Sequence, residues 1–162
     1  MYTEFTNQYQ PCGESFAIAV SRYNRVITDS LLQGAVQALR NAGIDGSDIH
    51  VAPVPGAWEL PLATKWLLQQ ERFAAVISLG VVVRGETTHD QHINRSVSHE
   101  LARLSLEYST PVAFGLLTCE NFAQAEDRAG GKIGNKGVEA ALAALQMVGL
   151  KRNIFDLSRQ AT

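Results

Sequence analysis

The residues best equipped for chemistry sit in one short run, Arg84-Gly85-Glu86-Thr87-Thr88-His89-Asp90. It follows directly on the apolar stretch Ala74–Val83 (AAVISLGVVV). Thr87 and Thr88 carry the oxygens that cap a helix start. A helix start with Gly85 beside it offers unpaired N–H groups and a dipole to an anion. His89 falls in the first turn of that helix, and its imidazole can carry protons near neutral pH. The residues alone leave two readings open: an anion site with a proton carrier, or a capped helix with a surface histidine.

Other candidates are weaker. His89, Asp90, His92 and His99 invite a metal, with His89 and His92 three apart on one helix. No HExxH, cysteine pair or spaced third ligand accompanies them, so no metal is expected. Gly130–Gly137 (GGKIGNKG) looks like a phosphate loop, but Gly137 follows Lys136 where GxxxxGK[ST] needs a hydroxyl, and the glycines run GxxGxxG. Arg128 before it is either a bidentate phosphate ligand or half of a surface pair with a nearby acid. In Val54–Pro61 (VPGAWELP), Gly56 permits close approach to backbone. Trp58 is core or pocket wall, and Glu59 suits a hydroxyl partner. Tyr23 could stack on a planar ring. No GxSxG or Cys–His arrangement is present.

The elements that must hold these residues are legible from periodicity. Phe16–Ser21, Ile49–Pro55, Ala74–Val83 and Pro111–Thr118 lack polar alternation, as strands covered on both faces do. Between them, Ile27, Leu31, Ala35 and Ala38 recur at helical spacing, as do Leu60, Ala63 and Leu67. Ile93, Val97, Leu101, Leu104 and Tyr108 form a third stripe, and Val138, Ala141, Leu142, Leu145 and Val148 a fourth. Asn41-Ala42-Gly43 and Pro111 mark helix ends. The alternation predicts an α/β three-layer αβα sandwich with a four-stranded parallel sheet. Ligands of such sheets bind beyond the carboxyl ends of the strands, where the polar residues above fall.

The 162 residues suit one domain, read as an N-terminal arm at 1–15 and a single domain at 16–162. A net charge of −2 argues against nucleic acid as a partner. No apolar run reaches the ~18 residues of a spanning helix. No leader pattern opens the chain and its two cysteines show no redox spacing, so a cytoplasmic location without a membrane partner is expected.

In order and spacing, VSRYN (20–24), VPGAWELP (54–61), LGVVVRGETTH (79–89), PVAFGLLT (111–118) and EDRAGGKIGNKGVEAA (126–141) resemble the 6,7-dimethyl-8-ribityllumazine synthase family. The resemblance covers the chain from about Phe16 to Leu150. It implies a flavodoxin-like sandwich assembled into pentamers, with sixty-subunit icosahedral capsids in some members. It also implies a transferase of riboflavin biosynthesis. That enzyme joins 5-amino-6-(D-ribitylamino)uracil to 3,4-dihydroxy-2-butanone 4-phosphate without cofactor or metal, releasing phosphate and water.

Carried across by position, Tyr23 stacks on the pyrimidine with Asn24 beside it. Gly56, Ala57, Trp58 and Glu59 hold the ribityl chain. Val82 and Val83 present backbone to the pyrimidine edge, Gly85, Glu86 and Thr87 line the phosphate end, and His89 transfers protons. Phe114, Arg128 and Lys136 match residues that a neighbouring subunit contributes, with Arg128 on the phosphate. The short AGGKIGNKG segment favours the sixty-subunit form, and the N-terminal arm is expected to add a strand to a neighbour's sheet. Riboflavin synthase is the expected macromolecular partner. Three departures stand out: Glu86 replaces a small residue, Asp90–Asn94 (DQHIN) replaces an aromatic-rich sequence, and Tyr23 and Trp58 are both bulky aromatics, a size that favours a flavin-like ring. A paralogue that binds riboflavin or lumazine without turnover, an FMN-binding module and a shell-forming structural protein are the rival readings. The absence of a Ser/Thr-rich loop after the first strand argues against the FMN module.

Overall fold

The computed structural model describes the backbone of residues 1–160 and side chains as far as Asp156. Strand β1 (Ser15–Ser21) leads through α1 (Arg25–Asn41) to β2 (Ile49–Val54), then α2 (Leu60–Leu68) and β3 (Phe73–Val83). There follow α3 (His89–Tyr108), β4 (Val112–Cys119), α4 (Phe122–Arg128), the short pair β5 (Ala129–Gly131) and β6 (Gly134–Asn135), and α5 (Lys136–Gln160). The four long strands form a parallel sheet in the order β2-β1-β3-β4. The order reverses between β1 and β3, which is where a crevice opens in such folds.

The missing polar alternation has a direct cause. Phe16, Ile18 and Val20 of β1 pack against Ile27, Leu31 and Leu39 of α1 and Ala141 and Leu145 of α5. On the other face Ala17 and Ala19 meet the layer of α2 and α3, through Leu60, Leu68, Val97, Leu101 and Leu104. Both faces of the central strands β1 and β3 are covered, so their positions are apolar or small. Each fully buried Leu, Ile or Phe contributes about 1.5–3 kcal/mol relative to exposure. A buried polar contact between the sheet and α2 is satisfied internally, Thr64 Oγ1 and Ser78 Oγ lying 2.8 Å apart.

Helix ends follow the expected signals. Gly43 sits at φ +91°, and the Ile44 N–H reaches back to the Leu39 carbonyl at 3.1 Å, closing α1. Ser109 turns left-handed after α3, and Pro111 follows. Two features differ from the sequence reading. Leu142 does not join the buried stripe of α5 and is 47% exposed. A stripe centred on Ala141, Leu145 and Val148 leaves the adjacent residue at its flank, about 100° round the helix. The glycine-rich segment, which fits no phosphate-loop pattern, is a β5–β6 hairpin that turns through Gly134 at φ +115°. These strands are too short for periodicity to reveal.

Asn135 fastens that hairpin. Its Oδ1 accepts the N–H groups of Gly137 and Val138 at 2.8 and 3.3 Å, and its Nδ2 donates to the Ser30 carbonyl at 3.0 Å. Ser30 Oγ in turn donates to the Ala129 carbonyl at 2.7 Å. At Gly137 helices α1 and α5 touch backbone to backbone: a Cβ there would lie 1.9 Å from the Leu31 carbonyl oxygen. The segment ahead of β1 carries no strand and lies along α5. The Thr6 N–H donates to Asn153 Oδ1 at 2.9 Å, and Arg152 pairs with Glu14 and stacks over Tyr9.

Candidate functional site

The cavity that opens where the strand order reverses has a volume of about 370 Å³. Its walls come from four places in the chain. The turn after β1 supplies Tyr23, the turn after β2 supplies Gly56, Ala57 and Trp58, and the end of β3 supplies Val81, Val82 and Val83. The loop into α3 and its first turns complete it with Gly85, Thr87, His89, Asp90 and Ile93.

Each wall has a local reason for its shape. The Arg22 and Tyr23 N–H groups bond to the Val54 and Pro55 carbonyls at 2.8 and 3.0 Å, which extends the pairing of β1 and β2 past their ends. Asn24 then takes a left-handed conformation, φ 60° and ψ 56°, a geometry that asparagine tolerates better than most residues. The chain turns sharply there into α1, and Tyr23 stays 72% exposed at the cavity mouth. On the opposite rim Trp58 is 60% exposed. Large aromatic rings left in water beside a cavity are poor core and good stacking surfaces. Of the two readings of Trp58, the pocket wall is the one the geometry takes.

Glu59 is held by its own turn. Its Oε2 accepts the Gly56 N–H at 3.0 Å, so the carboxylate fixes the loop that carries Ala57 and Trp58. Thr87 does part of the expected capping, its Oγ1 accepting the His89 N–H at 3.4 Å. Thr88 is the capping residue by position but makes no side-chain bond. His89 is exposed in the first turn of α3 and lines the cavity. Glu86 is exposed and does not line it. Arg84 pairs with Glu120 at 3.0 Å, tying the loop after β3 to the one after β4.

A second hollow of about 320 Å³ lies one strand away, on the free edge of β4. It is lined by Leu116, Leu117, Thr118, Arg128, Ile133, Gly134, Lys136 and Glu139 and shares no residue with the first. Arg128 forms no ion pair among the described residues: its Nη1 donates only to the Gln124 carbonyl, at 3.3 Å. Lys136 pairs with Glu139 at 3.0 Å. Phe114 on the same edge strand is 43% exposed. Burial pushes the Cys119 thiol up, while the Arg128 charge pulls the other way, so this cysteine is a neutral packing residue and no nucleophile.

Tyr23, Gly56, Ala57, Trp58, Val82, Val83, Gly85, Thr87 and His89 therefore gather around one cavity. Asn24, Glu59 and Glu86 stand beside it, and Phe114, Arg128 and Lys136 lie elsewhere on the same chain. Sequence reasoning missed Val81, Asp90 and Ile93. Ile93 was within reach, because it lies one helical turn after His89 and so shares its face. Among the described residues no three His, Cys, Asp or Glu side chains converge as metal ligands, and no helix is long and apolar enough to cross a membrane.

Comparison with known proteins places these features in context. The family model described as 6,7-dimethyl-8-ribityllumazine synthase matches residues 13–152. The chain is 50% identical over 142 residues to a 6,7-dimethyl-8-ribityllumazine synthase of Syntrophus aciditrophicus (strain SB), covering 88% of this chain and 92% of that one. It is 49% identical over 139 residues to the protein of the same name from Edwardsiella ictaluri (strain 93-146), covering 85% and 89%.

Proposed function

We propose that this chain, which belongs to the 6,7-dimethyl-8-ribityllumazine synthase family, condenses 5-amino-6-(D-ribitylamino)uracil with 3,4-dihydroxy-2-butanone 4-phosphate. The products are 6,7-dimethyl-8-ribityllumazine, phosphate and water. The observation that carries the residue roles is the cavity itself. Two exposed aromatic rings, the backbone end of β3 and a helix start bearing His89 all face one volume of about 370 Å³.

In this reading Tyr23 stacks on the pyrimidine, with Asn24 setting the turn that presents it. The backbone of Val82 and Val83 meets the pyrimidine edge. Gly56, Ala57 and Trp58 cradle the ribityl chain, and Glu59 both fixes that loop and offers its carboxylate to the hydroxyls. Gly85 and Thr87, with Glu86 kept outward, receive the phosphate end at the start of α3. The amine attacks the ketone to give an imine and water. Elimination of phosphate, ring closure and a second dehydration follow. His89 moves protons in these steps. Much of the acceleration comes from holding two reactive molecules in register, which needs no strong nucleophile.

Arg128, Lys136 and Phe114 come from the adjacent subunit, where Arg128 holds the departing phosphate. Their separation from the cavity within one chain supports this division, as does the freedom of Arg128 from any acidic partner among the described residues. A repeated head-to-tail contact of this kind closes into a ring, here a homopentamer. Pentamers then build a sixty-subunit icosahedral capsid, and on assembly the first residues of the N-terminal arm exchange their place along α5 for a strand on a neighbour's sheet edge. The uncovered edge of β2, with Val51 exposed, supports that placement. The setting is cytoplasmic, and riboflavin synthase is the partner that consumes the product.

The test is turnover. Assembled protein mixed with both substrates should form the lumazine well above a no-enzyme control, and His89→Ala should slow it. A rate equal to the control would overturn the reading and leave a flavin-binding relative in its place.

A further inference from the structure

The free edge of β2 borders a hollow that the lumazine-forming site does not use. It has a volume of about 250 Å³, and its walls include His50 and Val51 of β2, Trp66 and Leu67 of α2, and Arg72 and Phe73 at the entry to β3. Val51 and Trp66 are exposed there. Arg72 lies over the Phe73 ring, 4.6 Å from its centre, and forms no ion pair among the described residues. An exposed ring, an unanswered cation and an unpaired strand edge call for a partner that brings a ring, an acid and a backbone.

The N-terminal arm carries all three. Its later part is fixed to α5: at Gly149 a Cβ would lie 2.6 Å from the Gln8 carbonyl oxygen, and Arg152 donates to the Gln10 carbonyl and pairs with Glu14. Ahead of Thr6 no hydrogen bond ties the arm down among the described residues. Tyr2 there is 86% exposed, and Glu4 forms no ion pair. Alternate side chains share one face of a strand, so an extended arm puts Tyr2 and Glu4 on one side and Thr3 and Phe5 on the other. Of the two sides, the one with Tyr2 and Glu4 answers both the rings and Arg72.

We propose that this hollow receives residues 2–4 of an adjacent copy, with Tyr2 against Trp66 and Phe73 and Glu4 on Arg72. The inference rests on the assembly proposed above and names the side chains that seat the arm. The occupant is a second copy because the arm's own hollow is out of reach. The arm lies on α5, which packs over β3 and β4, whereas the hollow opens at the far edge of the sheet on the α2 side: His50 is level with Ala17, which packs in that layer. The arm and the end of α5 stand at the amino ends of the strands, as does this hollow. Arg128 and Lys136 stand towards the carboxyl ends, as does the catalytic cavity. One head-to-tail contact can therefore seat the arm at one end of the neighbour's sheet and deliver the arginine at the other.

Sedimentation velocity of the full chain at falling concentration tests this. Charge reversal in Glu4→Lys or in Arg72→Glu should raise the concentration at which the assembly dissociates by about tenfold, because like charges then meet at the contact. Combining the two should return it to the parent value. Tyr2→Ala should weaken the assembly and Phe5→Ala should not. A combined variant no better than the single ones, or the opposite order for Tyr2 and Phe5, would overturn the inference. A wild type that stays monomeric at every concentration would overturn the proposed assembly separately. Its hollow would then stay open, and a peptide of residues 1–6 should quench the emission of Trp66, isolated by Trp58→Phe because the chain has two tryptophans. Adding Arg72→Glu should abolish that quenching, and no quenching in either protein would overturn the inference as well.

Discussion

The cavity between β1 and β3 and the hollow on the edge of β4 are neighbours on one sheet, yet they are built differently. The first is enclosed by four turns of one chain, with two aromatic rings and a histidine facing the same volume. The second is a shelf: Phe114 on edge strand β4, Arg128 at the end of α4 and Lys136 at the start of α5 border solvent, and the arginine has no acidic counterpart among the described residues. An unpaired guanidinium on an open edge does little alone and much when an anion is brought to it. On the proposed function, one copy of this protein holds a binding cavity and, separately, the cation that a neighbouring copy's cavity lacks.

Mixed assemblies offer the severest way to break that comparison. His89→Ala should lower kcat by about 10²-fold, as loss of a general acid–base group does. Arg128→Ala should lower kcat/KM for butanone phosphate by about 10²–10³-fold, as loss of a charged stabiliser of the leaving group does. Unfolding the two variants together and reassembling them should restore activity, because some sites then combine an intact cavity with an intact arginine. In a random mixture about a quarter of the sites qualify, as expected for a head-to-tail interface. Mixing that restores nothing would mean that each chain uses its own Arg128, and the division into cavity and shelf would fall.

A smaller effect tests how the shelf is kept in place. Asn135 caps α5 and ties the β5–β6 hairpin to α1 through Ser30. Asn135→Ala should cost about 1–2 kcal/mol, the range for losing a helix cap. Because the hairpin lies between Arg128 and Lys136, KM for the phosphate substrate should rise while affinity for the uracil stays put. Urea unfolding and the two KM values check both halves. An equal rise in both would show that the hairpin supports the cavity too.

The sequence disclosed the cavity better than the shelf, and the reason is physical. Tyr23, Trp58 and His89 each follow an apolar run that could only be a buried strand, so their placement at the carboxyl edge came from strand periodicity and the topology rule. Arg128 has no such anchor. It ends a helix of seven residues and enters a hairpin whose strands are three and two residues long. From spacing alone it reads equally well as a phosphate ligand or a surface pair, and family resemblance supplied the choice. Asp90 was set aside with the histidines around it as a metal candidate. It lines the cavity all the same, because the first turn of α3 meets the turns after β1 and β2 only once the fold is formed.

The smallest expected effect lies in a third region, the arm on α5, which should be silent in every assay of the other two. Burial of the Tyr9 phenol raises its pKa from the ordinary 10.0 to about 12, and the nearby Arg152 charge opposes the rise. The fold thus favours the protonated phenol. Its contribution is complete below pH 10 and is lost as pH climbs from there towards 12. The hydroxyl is also buried without a partner. Tyr9→Phe should therefore leave stability at pH 8 unchanged or slightly raised, since no hydrogen bond is given up. Across the alkaline range its urea midpoint should fall less than that of the parent, and activity at pH 8 should be equal. An equal alkaline fall in both proteins would move that loss of stability from Tyr9 to other groups. A change in turnover would be more consequential, because it would mean that the arm reaches the cavity of a neighbouring copy and does not merely pack on its own helix.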